Sequence, residues 1–410
     1  MSELTAFIMT HESNPNRVDM SLSIIGLTMT RSLGRKNINV VRIHPNELDY
    51  SLLSKYSNKT EICPNFYQSE DALVEYLIDL KSKYPGDGVL FPASDDCAYF
   101  LAKYKEQLES CYKIPAADKP VMEKLTNKRC QYEEAQKLNL PIPETYFPET
   151  FSAVEQLSKE ISNYPYVIKP TVAHKWRLAS MQGISQGKKA LTVNNAKELL
   201  ELSRKMDIEN QEIMIQEVIG GKDERLFTFL AYYNEKAKPL AYCIRSKLRQ
   251  NPIDFGYCTL TVSCHDKVVE EQSIKLLNSI GFHGICGVEW KLDPKNKEYK
   301  LIEVNPRAVN TTGTAIACGV DLPYIAVMDK IGNKVEPVTT WTDGVKWVWL
   351  TEDLWAAKEF HDLGKLTYIQ WLKSLKGVKV HAVFAIDDLK PFVINFYSML
   401  KHYLKIKFRN

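Results

Sequence analysis

The sequence predicts a mixed α/β and α+β fold, in which a parallel sheet flanked by helices precedes a larger part built on hairpins. The first observation is the alternation of strand and helix patterns through the N-terminal third. The second is the alternation of apolar and polar positions beside short polar turns, near residues 226–245 and 287–307. The third is length: 410 residues are too many for one hydrophobic core and suffice for two or three domains.

The N-terminal third contains three apolar stretches with strand character, separated by helical patterns. The strands are Leu4–Met9, Asn39–Ile43 and Val89–Ala93. A helix is predicted over Asp19–Leu33, with Asp19 as its N-cap, and a second helix over Ser69–Lys81. This alternation predicts a parallel sheet.

Polar residues at the ends of these strands are candidate ligand contacts, because parallel sheets often hold ligands there. They are His11, Arg17 and the run Ser94–Asp96. Caps and turns are the simpler interpretation of the same residues. No Gly-x-Gly-x-x-Gly follows the first strand, so a dinucleotide site is not predicted.

Composition narrows the class of protein. The net charge of +3 is too small to indicate nucleic acid as the main partner. Nine cysteines are scattered without a Cys-x-x-Cys pair, which is typical of free thiols in a reducing compartment and predicts a cytoplasmic protein. We expect no secretory leader at the start of the chain, and no apolar run approaches the roughly 20 residues needed to span a bilayer.

The stretch Gly287–Arg307 carries the strongest chemical signal. It predicts two strands joined by a polar turn, and Glu303 and Asn305 share a face because they lie two apart in a strand. Glu289 on the neighbouring strand can join them. Three oxygen ligands with open positions suit Mg²⁺, which bridges substrate phosphates, and Arg307 follows at once. An exposed hairpin with solvated carboxylates is the alternative, but alternating apolar residues favour a buried sheet.

Two lysines are candidate phosphate contacts. Lys169 ends the short apolar strand of Tyr164–Pro170, so its charge is held at a fixed place. Lys128 follows Asn127 at the start of a predicted helix, a weak signal by itself. The segment after Lys169 is poor in glycine and rich in cations, and we interpret it as a mobile lid; the cations are Lys175, Arg177, Lys188 and Lys189. No Walker motif occurs, which excludes P-loop chemistry.

Together these motifs resemble the ATP-grasp superfamily, and within it the carboxylate–amine ligase branch. The resemblance extends over most of the chain. It implies a pre-ATP-grasp domain over 1–117, followed by a two-lobed ATP-grasp domain over 118–335 with a smaller lid subdomain at 168–218. Residues 336–410 would form a C-terminal region that ends in a basic amphipathic helix.

The resemblance also assigns roles to residues. Lys128 and Lys169 would contact the ATP phosphates, although Asn127 stands where the family has aspartate. A strand of the hinge would offer its backbone to adenine and a downstream acid would bind ribose; these residues are Gln216, Glu217, Val218 and Glu224. Arg249 and Arg307 would stabilise the transferring phosphoryl group, with Lys247 and Arg245 assigned more loosely.

The implied cofactors are ATP and one or two Mg²⁺ ions, with Mn²⁺ as an alternative ion. The implied reaction activates a small-molecule carboxylate as an acyl phosphate and joins it to an amine, releasing ADP and phosphate. Three alternatives stay open: a D-aspartate ligase of cell-wall synthesis within this class, an ATP-grasp carboxylase, and a nucleotide-binding module without turnover. The sequence does not name the acid or the amine.

The C-terminal helix, from about Phe392, interleaves basic and apolar residues. Docking on the protein itself is the preferred interpretation, and peripheral contact with an anionic membrane is the alternative. A homodimer is compatible with the sequence, and no nucleic acid partner is expected.

Overall fold

The computed structural model describes residues 3–11, 19–172, 176, 184, 188–206, 208 and 211–407, with side chains up to residue 401. The interpretations of Arg17, Lys175 and Arg177 therefore lie outside the described residues. Within the described part the strands form three sheets, of four, seven and four strands. The predicted α/β and α+β class is confirmed.

The N-terminal sheet is parallel throughout, with strand order β3-β2-β1-β4. Its elements are β1 (Leu4–Met9), α1 (Met20–Gly34), β2 (Asn39–His44), β3 (Lys59–Ile62), α2 (Glu70–Ser82), β4 (Asp87–Pro92), α3 (Asp95–Lys103) and α4 (Lys105–Leu108). The Asp19 carboxylate accepts a hydrogen bond from the Ser21 N–H at 2.9 Å, so it caps α1 as predicted. Ser94 caps α3 by accepting from the Cys97 N–H at 3.1 Å.

A small antiparallel sheet follows, with strand order β5-β8-β6-β7. This part contains α5 (Lys119–Thr126), α6 (Lys128–Lys137), β5 (Thr145–Tyr146), α7 (Phe151–Glu160), β6 (Tyr166–Pro170), β7 (Leu191–Val193), α8 (Ala196–Lys205) and β8 (Ile213–Glu217). Apolar residues of α7 and α8 pack on the sheet as a separate core. The sheet draws on residues 145–217, whereas the predicted lid boundaries of 168 and 218 stay a prediction.

The large sheet has the order β13-β12-β9-β10-β11-β14-β15, antiparallel except for the final parallel pair. Its strands are β9 (Leu226–Tyr233), β10 (Pro239–Asn251), β11 (Tyr257–Cys264), β12 (Gly284–Leu292), β13 (Tyr299–Asn305), β14 (Lys346–Val348) and β15 (Val378–His381). Both predicted hairpins are observed. Strand β10 continues beyond Arg245, where the pattern predicted its end, because residues up to Asn251 pair with β11.

Helices cover both faces of the large sheet. Helix α9 (Lys267–Ser279) packs on one face, where the Trp290 indole N–H donates to the Ser273 hydroxyl at 2.8 Å. Helices α10 (Thr312–Ala317) and α11 (Leu322–Lys330) pack on the other, against Leu230 and Tyr232. Polar residues on this second face form the candidate site.

The C-terminal region adds α12 (Leu350–Asp362), α13 (Tyr368–Ser374) and α14 (Lys390–Lys407). Its strands β14 and β15 extend the large sheet, so residues after 336 share that sheet with the preceding part. No helix in the described part of the chain is long and apolar enough to cross a membrane.

Two adjacent carboxylates fasten the start of α14 to the N-terminal domain. Asp388 accepts from Arg31 Nε at 2.9 Å and from the Ser54 hydroxyl at 2.7 Å, and both charged side chains are buried. Asp387 pairs with Arg35 at 2.8 Å in a partly exposed position. The two pairs differ mainly in burial, which makes them a matched comparison.

We predict that Asp388→Ala lowers the free energy of unfolding by about 3 kcal/mol, because the buried guanidinium of Arg31 then has no carboxylate partner. Asp387→Ala, which opens an exposed pair, lowers it by less than about 1 kcal/mol. Urea unfolding of both variants measures the difference. Equal losses would contradict the assignment of Asp388 as the main anchor.

Candidate active site

A row of polar side chains crosses the large sheet. Glu303 of β13 lies directly opposite Glu289 of β12, which lies opposite Thr228 of β9, which lies opposite Arg245 of β10. Directly opposed residues in antiparallel strands share a face. We call Glu303, Glu289, Thr228 and Arg245 the polar row. The expected approach of the two glutamates is therefore observed, and two more polar side chains follow them.

Each carboxylate of the polar row has its own cation. Lys128 Nζ lies 3.1 Å from Glu303 Oε2, and the Asn305 amide donates to Glu303 Oε1 at 3.2 Å. The surrounding protein disfavours charge on Glu303, but Lys128 and Lys189 outweigh this effect and hold the pKa of Glu303 well below its usual value. Burial opposes the charge of Lys128, yet Glu303 outweighs it and raises the pKa of Lys128. Both groups are ionised at neutral pH.

Arg245 is the cation that faces Glu289. Its Nη2 lies 3.5 Å from Glu289 Oε1, and its side chain is buried. Arg245 Nε and the Thr228 hydroxyl have no hydrogen-bond partner among the described residues. Sequence reasoning gave Arg245 only a loose role and missed Thr228, because their place beside Glu289 depends on the register between distant strands.

Lys169 approaches the polar row from the small sheet. Its Nζ donates to Gln216 Oε1 at 3.2 Å, and Gln216 Nε2 donates to the hydroxyls of Tyr132 and Thr145 at 2.9 Å. These bonds fix the orientation of the Gln216 amide. Desolvation, reinforced by repulsion from Lys128, lowers the pKa of Lys169 to about 8. Tyr132 and Thr145 were not predicted from sequence.

The hinge residues Glu217 and Val218 use their N–H groups within the protein. The Glu217 N–H donates to the Glu144 carbonyl at 2.9 Å, and the Val218 N–H donates to the Pro165 carbonyl at 3.3 Å. The Glu217 carboxylate pairs with Lys300. The contact of this backbone with adenine, which the resemblance implies for Gln216, Glu217 and Val218, stays a prediction.

Glu224 and Gln216 make contacts that the sequence did not predict. Glu224 lies on a short 3-10 turn with its side chain exposed, and its carbonyl accepts from the Ser246 hydroxyl at 2.9 Å. A ribose contact by Glu224 stays a prediction. The Gln216 side chain orients Lys169, and the contact of its backbone with adenine stays a prediction.

Arg249 is held away from the role expected for it. Its Nε and Nη2 donate to the Asp353 carboxylate at 2.9 and 2.8 Å, and Nη2 also donates to the Ser374 hydroxyl at 3.0 Å. Asp353 is fully buried and also accepts from the Thr259 hydroxyl. A buried bidentate pair of this kind ties α12 to β10, so the structure places Arg249 in the scaffold.

Lys247 and Arg307 remain near the polar residues of the site. Lys247 Nζ donates to Gln250 Oε1 at 3.3 Å. Arg307 Nη2 donates to Asp95 Oδ2 at 2.7 Å and lies 3.4 Å from Asn305 Oδ1. Asp95 belongs to the run Ser94–Asp96 noted in the sequence, so the N-terminal domain reaches the site through this residue.

The donor set fits a hard divalent cation. Glu289 and Glu303 supply carboxylates and Asn305 an amide oxygen, which are ligands that Mg²⁺ accepts. Across the described ranges, no three Asp, Glu, His or Cys side chains form a ready metal cluster. Glu289, Glu303 and Asn305 would therefore hold the ion together with phosphate oxygens of a nucleotide and water.

A nucleotide-dependent protein of the ATP-grasp fold is the class that these features define: a small antiparallel sheet brings a lysine to a larger sheet that carries paired carboxylates. A family model described as ATP-grasp in the biosynthetic pathway with Ter operon matches residues 234–353. The D-aspartate ligase of Enterococcus faecium is 25% identical over 302 residues, which cover 70% of each chain. The chain also matches carbamoyl phosphate synthase large chains, but it spans only 19 to 26% of their length.

Solved structures support the same fold. The L-amino acid ligase of Bacillus licheniformis superposes with a TM-score of 0.60 at 15% identity, covering 82% of this chain and 76% of that one. The biotin carboxylase domain of Hydrogenobacter thermophilus 2-oxoglutarate carboxylase, in complex with MgADP, gives 0.61 at 14% identity, covering 84% and 73%. The chain is therefore similar in sequence to ATP-grasp proteins and shares the fold of these solved structures.

The pKa of Lys169 predicts how nucleotide affinity depends on pH. Phosphates stabilise the protonated amine, so the affinity for ATP is full below about pH 8 and falls by up to about tenfold per pH unit above it. Calorimetric titration from about pH 7 to about pH 9.5, in two buffers of different ionisation enthalpy, measures both the fall and the proton uptake.

Lys169→Arg is the control, because the arginine charge does not titrate in this range and the slope should decrease. A slope unchanged by Lys169→Arg would show that Lys169 does not meet the phosphates.

Proposed function

We propose that the protein is an ATP-dependent, ADP-forming ligase that activates a carboxylate as an acyl phosphate and joins it to an amine. The observation that carries the proposal is the pair Glu289 and Glu303, opposed in register, each beside a cation and both near Lys169. The relatives named D-aspartate ligase and L-amino acid ligase support a reaction between a carboxylate and an amine.

In this proposal the cations of the site bind and orient the triphosphate. Lys128 and Lys169 come from different elements, α6 and β6, so they meet the phosphates from two directions. Glu289, Glu303 and Asn305 would hold Mg²⁺, which would supply charge neutralisation at the phosphate oxygens. Most of the acceleration then comes from positioning and from charges already in place.

The proposed reaction has two steps, phosphoryl transfer to the carboxylate and then formation of the amide. A carboxylate oxygen of the substrate bonds to the γ-phosphorus while the bond to ADP breaks, giving an acyl phosphate and ADP. The amine then bonds to the acyl carbon, inorganic phosphate leaves, and the amine loses a proton. Arg307 and Lys247 supply positive charge near the transferring group, and water must be excluded while the acyl phosphate exists.

A D-aspartate ligase is the narrower candidate, because the match to that relative covers 70% of both chains. Its small-molecule partners would be an amino acid with a free carboxylate and an amine acceptor. All nine cysteines are free thiols, which supports a reducing, cytoplasmic setting for this chemistry.

The proposal is tested with Mg·ATP, hydroxylamine and a panel of carboxylic acids that includes D-aspartate. Hydroxamate and phosphate should form in equal amounts with one acid, and ADP should be the nucleotide product. Phosphate release that requires bicarbonate and gives no hydroxamate with any acid would indicate a carboxylase. ATP binding without turnover, with every acid, would indicate a module that only binds nucleotide.

We predict that Glu303→Gln lowers turnover by about 10²-fold or more while the melting temperature stays close to that of the wild type. The reason is the loss of a charge that the transition state needs, on a partly exposed side chain whose shape is kept. The matched control is Glu298→Gln, because Glu298 is an exposed carboxylate of the turn between β12 and β13. Near-normal turnover of Glu303→Gln would contradict the metal assignment.

A further inference from the structure

Helix α14 is fastened at its start and exposed along most of the side chains that follow. Pro391 and Asn395 are buried, and the Phe392 ring packs against Phe384 with 5.2 Å between centroids. The preceding residues Asp387 and Asp388 hold the segment on the N-terminal domain. The helix is therefore presented in a defined orientation.

The exposed side of α14 is apolar. We call the following residues the apolar stripe: Leu389, Val393, Phe396, Tyr397 and Leu400. They are 43 to 63% exposed, and their spacing of four, seven, eight and eleven places them on one helical face. Ile386, just before the helix, is 85% exposed. Contiguous apolar surface of this kind indicates a site of interaction rather than scattered surface residues.

The positive charge of the sequence from residue 389 onward indicates which kind of partner the apolar stripe would meet. From residue 389 to the end, the sequence contains four lysines and one arginine and no aspartate or glutamate: Lys390, Lys401, Lys405, Lys407 and Arg409. A second copy of the helix would bring like charges together. An anionic lipid surface instead attracts each basic residue, with about a fivefold gain in partitioning per residue.

The side chains of the apolar stripe suit the boundary between the headgroups and the acyl chains of a bilayer. Phe396 and Leu400 offer apolar bulk to the acyl boundary, and Tyr397 combines an apolar ring with a hydroxyl that suits the headgroup level. An amphipathic helix with a basic segment lies in the plane of the interface without crossing it.

We propose that α14 docks the protein on an anionic membrane surface, with the apolar stripe inserted at the headgroup boundary and the basic residues of this part of the sequence adding electrostatic attraction. The surface is separate from the polar row, so docking does not depend on the proposed ligase activity. Docking would determine where the protein resides and would not alter the proposed reaction.

Flotation of the full chain with vesicles tests the proposal. The chain should float with vesicles of phosphatidylglycerol and phosphatidylcholine at low salt, and should not float with pure phosphatidylcholine or at high salt. Val393→Ser with Phe396→Ser should lower the partition coefficient by at least about tenfold, because two exposed apolar side chains no longer insert. Lys401→Glu should also lower it, through charge alone.

The control is Ile78→Ser with Val268→Ser, which removes two comparably exposed apolar residues from α2 and α9 and should leave flotation unchanged. Circular dichroism melts establish that all variants are folded. Failure to float with anionic vesicles at low salt would overturn the proposal. So would a dimer in sedimentation that Val393→Ser with Phe396→Ser abolishes, because a second copy would then cover the stripe.

Discussion

The candidate site depends on the register of β12 against β13, which sets Glu289 and Glu303 side by side on one face of the large sheet. Two adjacent carboxylates repel each other unless cations stand beside them. The chain supplies those cations from elsewhere, with Lys128 from α6 and Arg245 from β10. Each carboxylate therefore has a cation beside it before any ligand arrives, and such fixed charges are the condition that electrostatic catalysis requires.

This arrangement makes several parts of the chain contribute to one site. The small sheet contributes Lys169, which Gln216 orients, and the N-terminal domain contributes Asp95, which binds Arg307. The C-terminal region contributes support through the buried pair of Arg249 and Asp353. Arg249 is neutralised by Asp353, so among the described residues the cations near the polar row include Lys128, Lys169, Arg245 and Arg307.

Strand periodicity was enough to predict the hairpin that carries Glu289 and Glu303, because the face of a strand follows directly from spacing by two. Local patterns were also enough to predict Asp19 as the cap of α1 and the place of Lys169 near the end of β6. They were not enough for Thr228 and Arg245, whose place beside Glu289 follows from pairings between strands far apart in sequence. Non-local register leaves no local pattern to recognise.

The role predicted for Arg249 also depended on a contact between residues far apart in sequence. A cation near the expected phosphate site suggested catalysis, but its partner Asp353 lies 104 residues further along the chain. The hinge strand was placed correctly, yet the hydrogen bonds of Glu217 and Val218 depend on neighbouring chain segments. For α14, amphipathicity was visible in sequence, but only the structure separates the buried residues Pro391 and Asn395 from the exposed stripe.

Lys128 and Arg245 neutralise Glu303 and Glu289 until nucleotide phosphates bring a metal ion to the site. Equilibrium dialysis with Mn²⁺, with and without ATP, tests this most directly, since Mn²⁺ accepts the same oxygen ligands as Mg²⁺. We expect the protein to retain little Mn²⁺ alone and one or two ions per chain when ATP is present. Stoichiometric retention of Mn²⁺ without nucleotide would contradict this expectation, because Glu289 and Glu303 would then form a metal site on their own.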